Sequence, residues 1–260
     1  VRSPLLETLI DYAGVFPPAA LSVADARAEY ERAKAGEHGW VLGPMLVLAS
    51  QLDELETPSA LGLVADVAIP PDAPQLTQVE RRVTAADASA AVAELRDAAP
   101  VLYLESADPG DLGVLEPIAT ARSVGLDVRA KIRTGGATAT AFPTPEAVAA
   151  FIGACVAHEL PFKATAGLHH PVRQASTVEG AVEHGFVNVL AATRCALVGD
   201  DDATLAALRS TASADFEITT ATFRGVGAEL DPHQVRATFR SIGSCSFAEP
   251  TGYLADLGML

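Results

Sequence analysis

Short runs that read as β-strands alternate with longer runs that read as helices along almost the whole chain, and this alternation limits the fold more than any other feature. A strand followed by a helix returns the next strand parallel to the first, so the pattern predicts a parallel sheet with helical crossovers. The strand-like runs are 44–49, 63–69, 78–84, 101–105, 127–134, 161–165, 186–191 and 216–221. The helix-like runs are 21–38, 51–60, 86–98, 111–124, 144–158, 177–184, 203–211 and 232–242. Start and stop signals support several of them: Ser22 and Gly36 flank the first helix, Pro145 follows Thr144, and Asp200 to Asp202 precede residue 203.

Eight strands with crossovers in 260 residues predict an α/β fold, a closed (β/α)8 TIM barrel forming a single domain over residues 1–260. Two stretches fit less well. Residues 70–77 are proline-rich and too short for a crossover helix. In the first 20 residues, 9–13 offers an extra strand, while Phe16, Pro17 and Pro18 suggest an extension across one mouth of the barrel. A doubly wound sheet is the alternative, but no GxGxxG or P-loop follows any strand, so no nucleotide cofactor is expected.

The net charge of −15 argues against nucleic acid and anionic membranes as partners, and makes any basic cluster a local exception suited to a small anion. No apolar run approaches membrane-spanning length by eye, and the N-terminus lacks a signal-peptide core. Cys155, Cys195 and Cys245 lack CxxC spacing, which predicts neither a disulfide framework nor a structural zinc site and suits the cytoplasm. Cys195 and Cys245 have no evident base partner in the sequence and read as structural. A homodimer is the base-rate expectation for assembly.

Side chains alternate in and out along a barrel strand, and outward positions face the helices and should be apolar. In 127–134 the apolar set is Val128, Ala130 and Ile132, so Arg129, Lys131 and Arg133 face inward. The same test turns Lys163 and Thr165 inward, together with Glu80, Arg82 and Thr84, Tyr103 and Glu105, Asn188, and Glu217 and Thr219. An ordinary barrel interior is mostly Val, Ile and Leu. Ion pairing between Glu80, Glu105, Glu217 and the cations explains part of this set, but buried ion pairs are weak stabilisers and so many together suggest a site.

The chemistry this set offers is an anion clamp by Arg82 and Arg133, a reactive amine at Lys163, and proton carriers at Glu105 or Glu217 with Tyr103 assisting. Lys163 crowded by Lys131 and Arg133 would have its pKa pushed down, freeing the amine for Schiff-base formation. His169 and His170 follow the 161–165 run directly, on the side where barrel enzymes keep their active sites, and either serves as acid, base or metal ligand. No HxH or HExxH spacing exists, so no metal is expected. His158, His184 and His233 read as surface residues on helices. Gly135 and Gly136 offer an anion-cradling turn, and Asp11 and Tyr12 a cap over the pocket.

The segments Lys131-Ile132-Arg133-Thr134-Gly135-Gly136 and Phe162-Lys163-Ala164-Thr165-Ala166-Gly167-Leu168-His169-His170-Pro171 resemble a family of uncharacterised bacterial TIM-barrel proteins. The stretch from Phe162 to Gly167 is also similar to the Schiff-base strand of deoxyribose-phosphate aldolase and related class I aldolases. That resemblance implies Lys163 as the Schiff-base lysine and Lys131 as the second lysine that tunes it; the double histidine departs from the pattern. Together these readings lead to an expected lyase of aldolase-like chemistry acting on a small anionic carbonyl substrate, with Lys163, Lys131, Glu105 and His169 as catalytic residues. Arg133, Arg82, Thr165, Tyr103, His170, Asn188, Glu217 and Asp11 are expected to contact the substrate. An isomerase, epimerase or cyclase using the same pocket without a Schiff base, and a non-catalytic small-anion binding protein, are the alternatives.

Overall fold

The computed structural model describes residues 2–55 and 60–260. Eight parallel strands close into a barrel: β1 (Ile10–Tyr12), β2 (Leu42–Leu48), β3 (Leu61–Val64), β4 (Gln78–Val83), β5 (Leu102–Ser106), β6 (Val128–Arg133), β7 (Phe162–Thr165) and β8 (Phe239–Ser244). Each pairs with its neighbour in sequence, and β1 closes the ring against β8 with Asp11 opposite Gly243. The fold is therefore the expected (β/α)8 barrel, but two of its strands are not the expected ones.

Residues 9–13 are the extra strand that the sequence offered: they carry β1, a full member of the barrel. Residues 186–191, expected as a strand, begin helix α5 (Phe186–Leu197), and nearly every side chain of that helix is buried. A helix enclosed on all sides carries an unbroken apolar run, which periodicity alone cannot tell from a buried strand. Residues 216–221 contribute to a small antiparallel hairpin, Phe216–Glu217 with Thr222–Phe223, outside the barrel. The run 232–242 divides into helix α7 (Pro232–Thr238) and the start of β8. Residues 177–184 are not a helix; Gln174–Ala175 and Val182–Glu183 pair there as another short hairpin. Within 51–60 a 3₁₀ turn spans Ala49–Glu54, and 56–59 lie outside the described residues.

The remaining helices follow their local signals. α1 (Val23–Ala35) is capped by Ser22, whose hydroxyl accepts from Asp25 N at 3.1 Å. α2 (Ala88–Leu95) and α3 (Leu115–Ser123) cover β4 to β6. α4 (Pro145–Ala157) starts behind Thr144, and α6 (Asp201–Arg209) behind Asp200. α8 (Ala248–Asp256) follows β8 and was not anticipated. As expected, no helix joins β3 to β4; proline-rich residues 70–77 span that gap.

Outward strand positions bury Val79, Leu104, Val128, Ala130, Phe162 and Ala164 against this shell, each large side chain contributing about 1.5–3 kcal/mol. The ring of Phe162 meets Phe151 of α4 edge-on and Phe239 of β8, which ties helix to barrel. Contrary to the reading by eye, 139–157 is long and apolar enough to cross a membrane by composition. In the fold it comprises a 3₁₀ turn and α4, whose Val148, Phe151, Ile152 and Cys155 pack inward as a crossover helix.

Asn188 is consequently a strut, not a lining residue. From α5 its Nδ2 donates to Ala207 O and Ser210 O at 2.7 and 2.8 Å, and its Oδ1 accepts from Arg173 N at 2.9 Å. It joins α6 and the β7–α5 connection to the buried helix. Asn188→Ala should destabilise the fold by about 1–3 kcal/mol in urea unfolding, because backbone groups lose a buried partner.

Candidate active site

Of the residues that alternation turns inward, Glu80, Glu105, Lys131, Arg133 and Lys163 meet in one charged ladder, joined by Asp11. Lys163 Nζ pairs with Asp11 Oδ2 and, at 2.6 Å, with Glu80 Oε1. Lys131 Nζ sits 2.6 Å from Glu80 Oε2 and 2.7 Å from Glu105 Oε2. Arg133 Nε donates to Glu105 Oε1 at 3.1 Å. Signs alternate from Asp11 through Lys163, Glu80, Lys131 and Glu105 to Arg133, across five strands. Gln78 Nε2 donates to both Asp11 and Glu80, and Ser241 Oγ donates to Asp11 at 2.9 Å.

Parallel register puts these groups together. Lys131 lies opposite Lys163, Glu105 opposite Lys131, and Arg133 opposite Thr165. Inward glycines make space: a Cβ at Gly43 would collide with Asp11, and one at Gly243 would lie 2.7 Å from Thr165 Oγ1. Asp11 was expected to cap the pocket; instead it is a buried member of the ladder, and Tyr12 turns outward against Tyr30 of α1.

The expected lowering of the Lys163 pKa is overturned. Its immediate partners are carboxylates, not Lys131 and Arg133. Burial, the largest influence, works to discharge it, but Asp11, Glu80 and the Tyr103 ring outweigh burial and raise the pKa. Lys131 is raised by Glu80 and Glu105 against burial in the same way. Glu80 falls to about 2 because the two lysines outweigh its burial, and Glu105 is lowered by Lys131 and Arg133 against the same penalty. At neutral pH Glu80, Glu105, Lys131 and Lys163 are therefore all held charged.

Tyr103 forms the floor. Its ring lies 5.1 Å from Lys163 Nζ, and its hydroxyl accepts from Arg129 Nη1 at 3.0 Å. Arg129 in turn pairs with Asp127 and lines a cavity of about 350 Å³ at the N-terminal mouth. Tyr103 is thus directed away from the face where proton transfer was expected. At the opposite, C-terminal mouth, Arg133 is 42% exposed and Thr165 half-buried. Arg82 is exposed there and gives Nη2 to Ala107 O at 2.8 Å.

His169 and His170 separate in role. His170 Nδ1 contacts Glu183 at 3.0 Å and its ring stacks on Tyr253 at 4.4 Å, which fastens the Val182–Glu183 hairpin strand. His169 instead bridges Glu249, 2.6 Å from Nδ1, and Cys245, whose Sγ lies 3.8 Å from Nε2. Cys245 therefore has the base partner that the sequence did not reveal. Glu217 is exposed on the outer hairpin and leaves the site. His184, expected at the surface, is fully buried, lies 2.8 Å through Nε2 from Pro143 O, and has its pKa lowered by burial. His158 and His233 are exposed as expected.

Gly135 works by close approach. A Cβ there would lie 2.9 Å from Gly167 Cα, and Thr134 Oγ1 donates to Ala166 O at 2.6 Å. Gly167 has φ +68, which glycine adopts without strain. The loops after β6 and β7 are thereby locked backbone to backbone. Among the described residues, no group of three His, Cys, Asp or Glu is arranged to hold a metal ion. Compared with known protein families and with curated protein sequences, the chain matches none.

Two outcomes follow from the ladder. Glu80→Ala removes the one carboxylate shared by two buried ammonium groups and should cost about 3–5 kcal/mol in urea unfolding. The depressed Glu80 contributes stability above its ordinary pKa of 4.5, and that contribution is lost as pH falls from there toward about 2. The raised lysines contribute fully below 10.5 and lose that contribution only as pH rises beyond it. Thermal midpoints measured against pH should fall steeply on the acid side below 4.5, and more shallowly in Glu80→Gln.

Proposed function

We propose that the protein is an enzyme that moves a proton beside the carbonyl of a small anionic substrate at the C-terminal mouth. That step is common to isomerases and to lyases of the aldolase kind. The observation that carries this reading is the alternating ladder, where a lowered carboxylate, Glu105, lies 2.7 Å from a raised ammonium group, Lys131. A carboxylate kept ionised beside a fixed ammonium group places a proton acceptor next to an electrostatic partner for a developing negative charge.

Arg133 spends Nε on Glu105 and, among the described residues, keeps its Nη groups for an anion; Arg82 and Thr165 flank it. Glu105 takes the proton from the carbon next to the carbonyl, and the Lys131 ammonium stabilises the enolate oxygen that develops. Where that carbon carries a hydroxyl, the hydroxyl proton passes to the enolate oxygen and Glu105 returns its proton to the former carbonyl carbon, which completes an isomerisation. In a lyase the same oxygen stabilisation accompanies carbon–carbon cleavage. Lys163, fully buried, acts through Glu80 by fixing the charge and position of Lys131.

The register that places Lys131 opposite Lys163 favours a second reading, in which Lys163 forms a Schiff base. That route requires its proton to pass first to Asp11 or Glu80, against the attraction of both.

In D₂O, with a panel of small keto acids and phosphorylated ketones, the protein should introduce deuterium beside the carbonyl, read by NMR. Glu105→Gln should slow the exchange by about 10²–10⁴-fold while leaving anion binding in place. Binding without exchange across the panel overturns the enzymatic reading in favour of an anion-binding protein. Borohydride added during turnover tests the second reading: a substrate-sized mass increase mapped to Lys163 supports it, and exchange without any adduct rejects it.

A further inference from the structure

We propose that Cys245, His169 and Glu249 form a second reactive group at the C-terminal mouth, a thiol nucleophile that adds to the carbonyl carbon of a small anionic aldehyde. The three residues come from distant parts of the chain. His169 lies on the loop after β7, Cys245 directly follows β8, and Glu249 sits in the first turn of α8. The imidazole stands between the others, with Nε2 3.8 Å from Cys245 Sγ and Nδ1 2.6 Å from Glu249 Oε2. Nucleophile, base and orienting carboxylate in this order are the parts that activate a cysteine. Cys245 itself is buried at 8% exposure, and the site opens at its edge through His169, 20% exposed, and Glu249, 52% exposed.

The electrostatics agree with the geometry. The contact with Cys245 raises the His169 pKa most, Glu249 adds to it, and burial opposes both; the net position is about 9. The imidazole is thus held as a cation within reach of the sulfur at neutral pH, with a proton to give to an adding carbonyl's oxygen. Cys155 and Cys195 lack such a partner among the described residues, and burial pushes both thiols up, Cys195 to about 12.

The step is balanced within the site. The Cys245 thiolate forms a sulfur–carbon bond as the carbonyl π bond breaks. The electron pair goes to oxygen, which takes the proton from His169 Nε2. Neutral His169 keeps its Nδ1 proton on Glu249, and reversal of the same movements releases the aldehyde. No oxidant or metal is required. The proposal does not rest on proton transfer by Glu105, because the thiol is read directly by its labelling.

Iodoacetamide labelling of the intact protein at pH 7, followed by mass mapping, tests it. Cys245 should be alkylated about tenfold faster than N-acetylcysteine, with Cys155 and Cys195 unlabelled. His169→Asn should return the rate to that of N-acetylcysteine, and Glu249→Gln should give a value between. Glyoxylate should slow the labelling of Cys245 in the unaltered protein. If His169→Asn does not fold, the half-exposed Glu249→Gln carries the comparison. Labelling no faster than N-acetylcysteine, rates unchanged in the variants, or no slowing by glyoxylate each overturns the proposal.

Discussion

Glu80 holds the barrel's interior together. Its two oxygens face two lysine ammonium groups, Lys163 and Lys131, that are both enclosed by the sheet. An isolated ammonium group in that position would be too costly to keep charged, and two side by side would repel. With Glu80 between them, and Asp11 and Glu105 beyond, each lysine has two carboxylates and each shared carboxylate two cations. The surrounding features serve this arrangement. Gly43 and Gly243 give it room, Gln78 and Ser241 supply hydrogen bonds to its acidic members, and Tyr103 offers a ring face beneath Lys163.

Much of this ladder can be read from the chain because strand periodicity is strict. One residue of slip would send every charge into the apolar shell, so the alternation in 127–134 assigns Lys131 and Arg133 unambiguously. Partners are another matter. Alternation gives a face but not a height, and Lys163 meets Asp11 and Glu80, not Arg133, because of the register around the ring. The sign of its pKa shift followed from that difference. Proximity to cations was inferred from strand adjacency, whereas the groups actually within reach are acidic.

The misread segments depart from their expected patterns in opposite ways. Residues 186–197 are buried on nearly every side because α5 is covered by the barrel, α4, α6 and α7, so apart from Asn188, Thr193 and Arg194 they are apolar all round and the usual helical stripe is missing. Residues 239–244 have the opposite difficulty: with Arg240, Ser241, Gly243 and Ser244 they look too polar for a barrel strand. Their polarity belongs to the charged interior, since Ser241 donates to Asp11 and Gly243 leaves room for Thr165. With 186–191 and 216–221 resembling strands, the count already reaches eight without β8, and 9–13 stands as an extra strand although it is β1.

Recognising β8 also changes what Cys245 is. Ser241, Gly243 and Cys245 share one parity along the chain, so the strand that completes the charged floor also delivers a thiol to the rim two residues beyond its inward glycine. His169 reaches the same rim two residues beyond Gly167, on a loop fixed by the contact between Gly135 and Gly167. Floor and rim are therefore positioned by the same strands but made of different chemistry. The floor is a closed set of mutually neutralising charges, in which each group is positioned by its neighbours. The rim pairs a thiol and an imidazole on locked loops, with an exposed carboxylate behind them. On the proposed reading, a substrate seated between them would meet fixed electrostatics on one side and a nucleophile on the other, with the rigid barrel supplying orientation and the loops supplying reactivity.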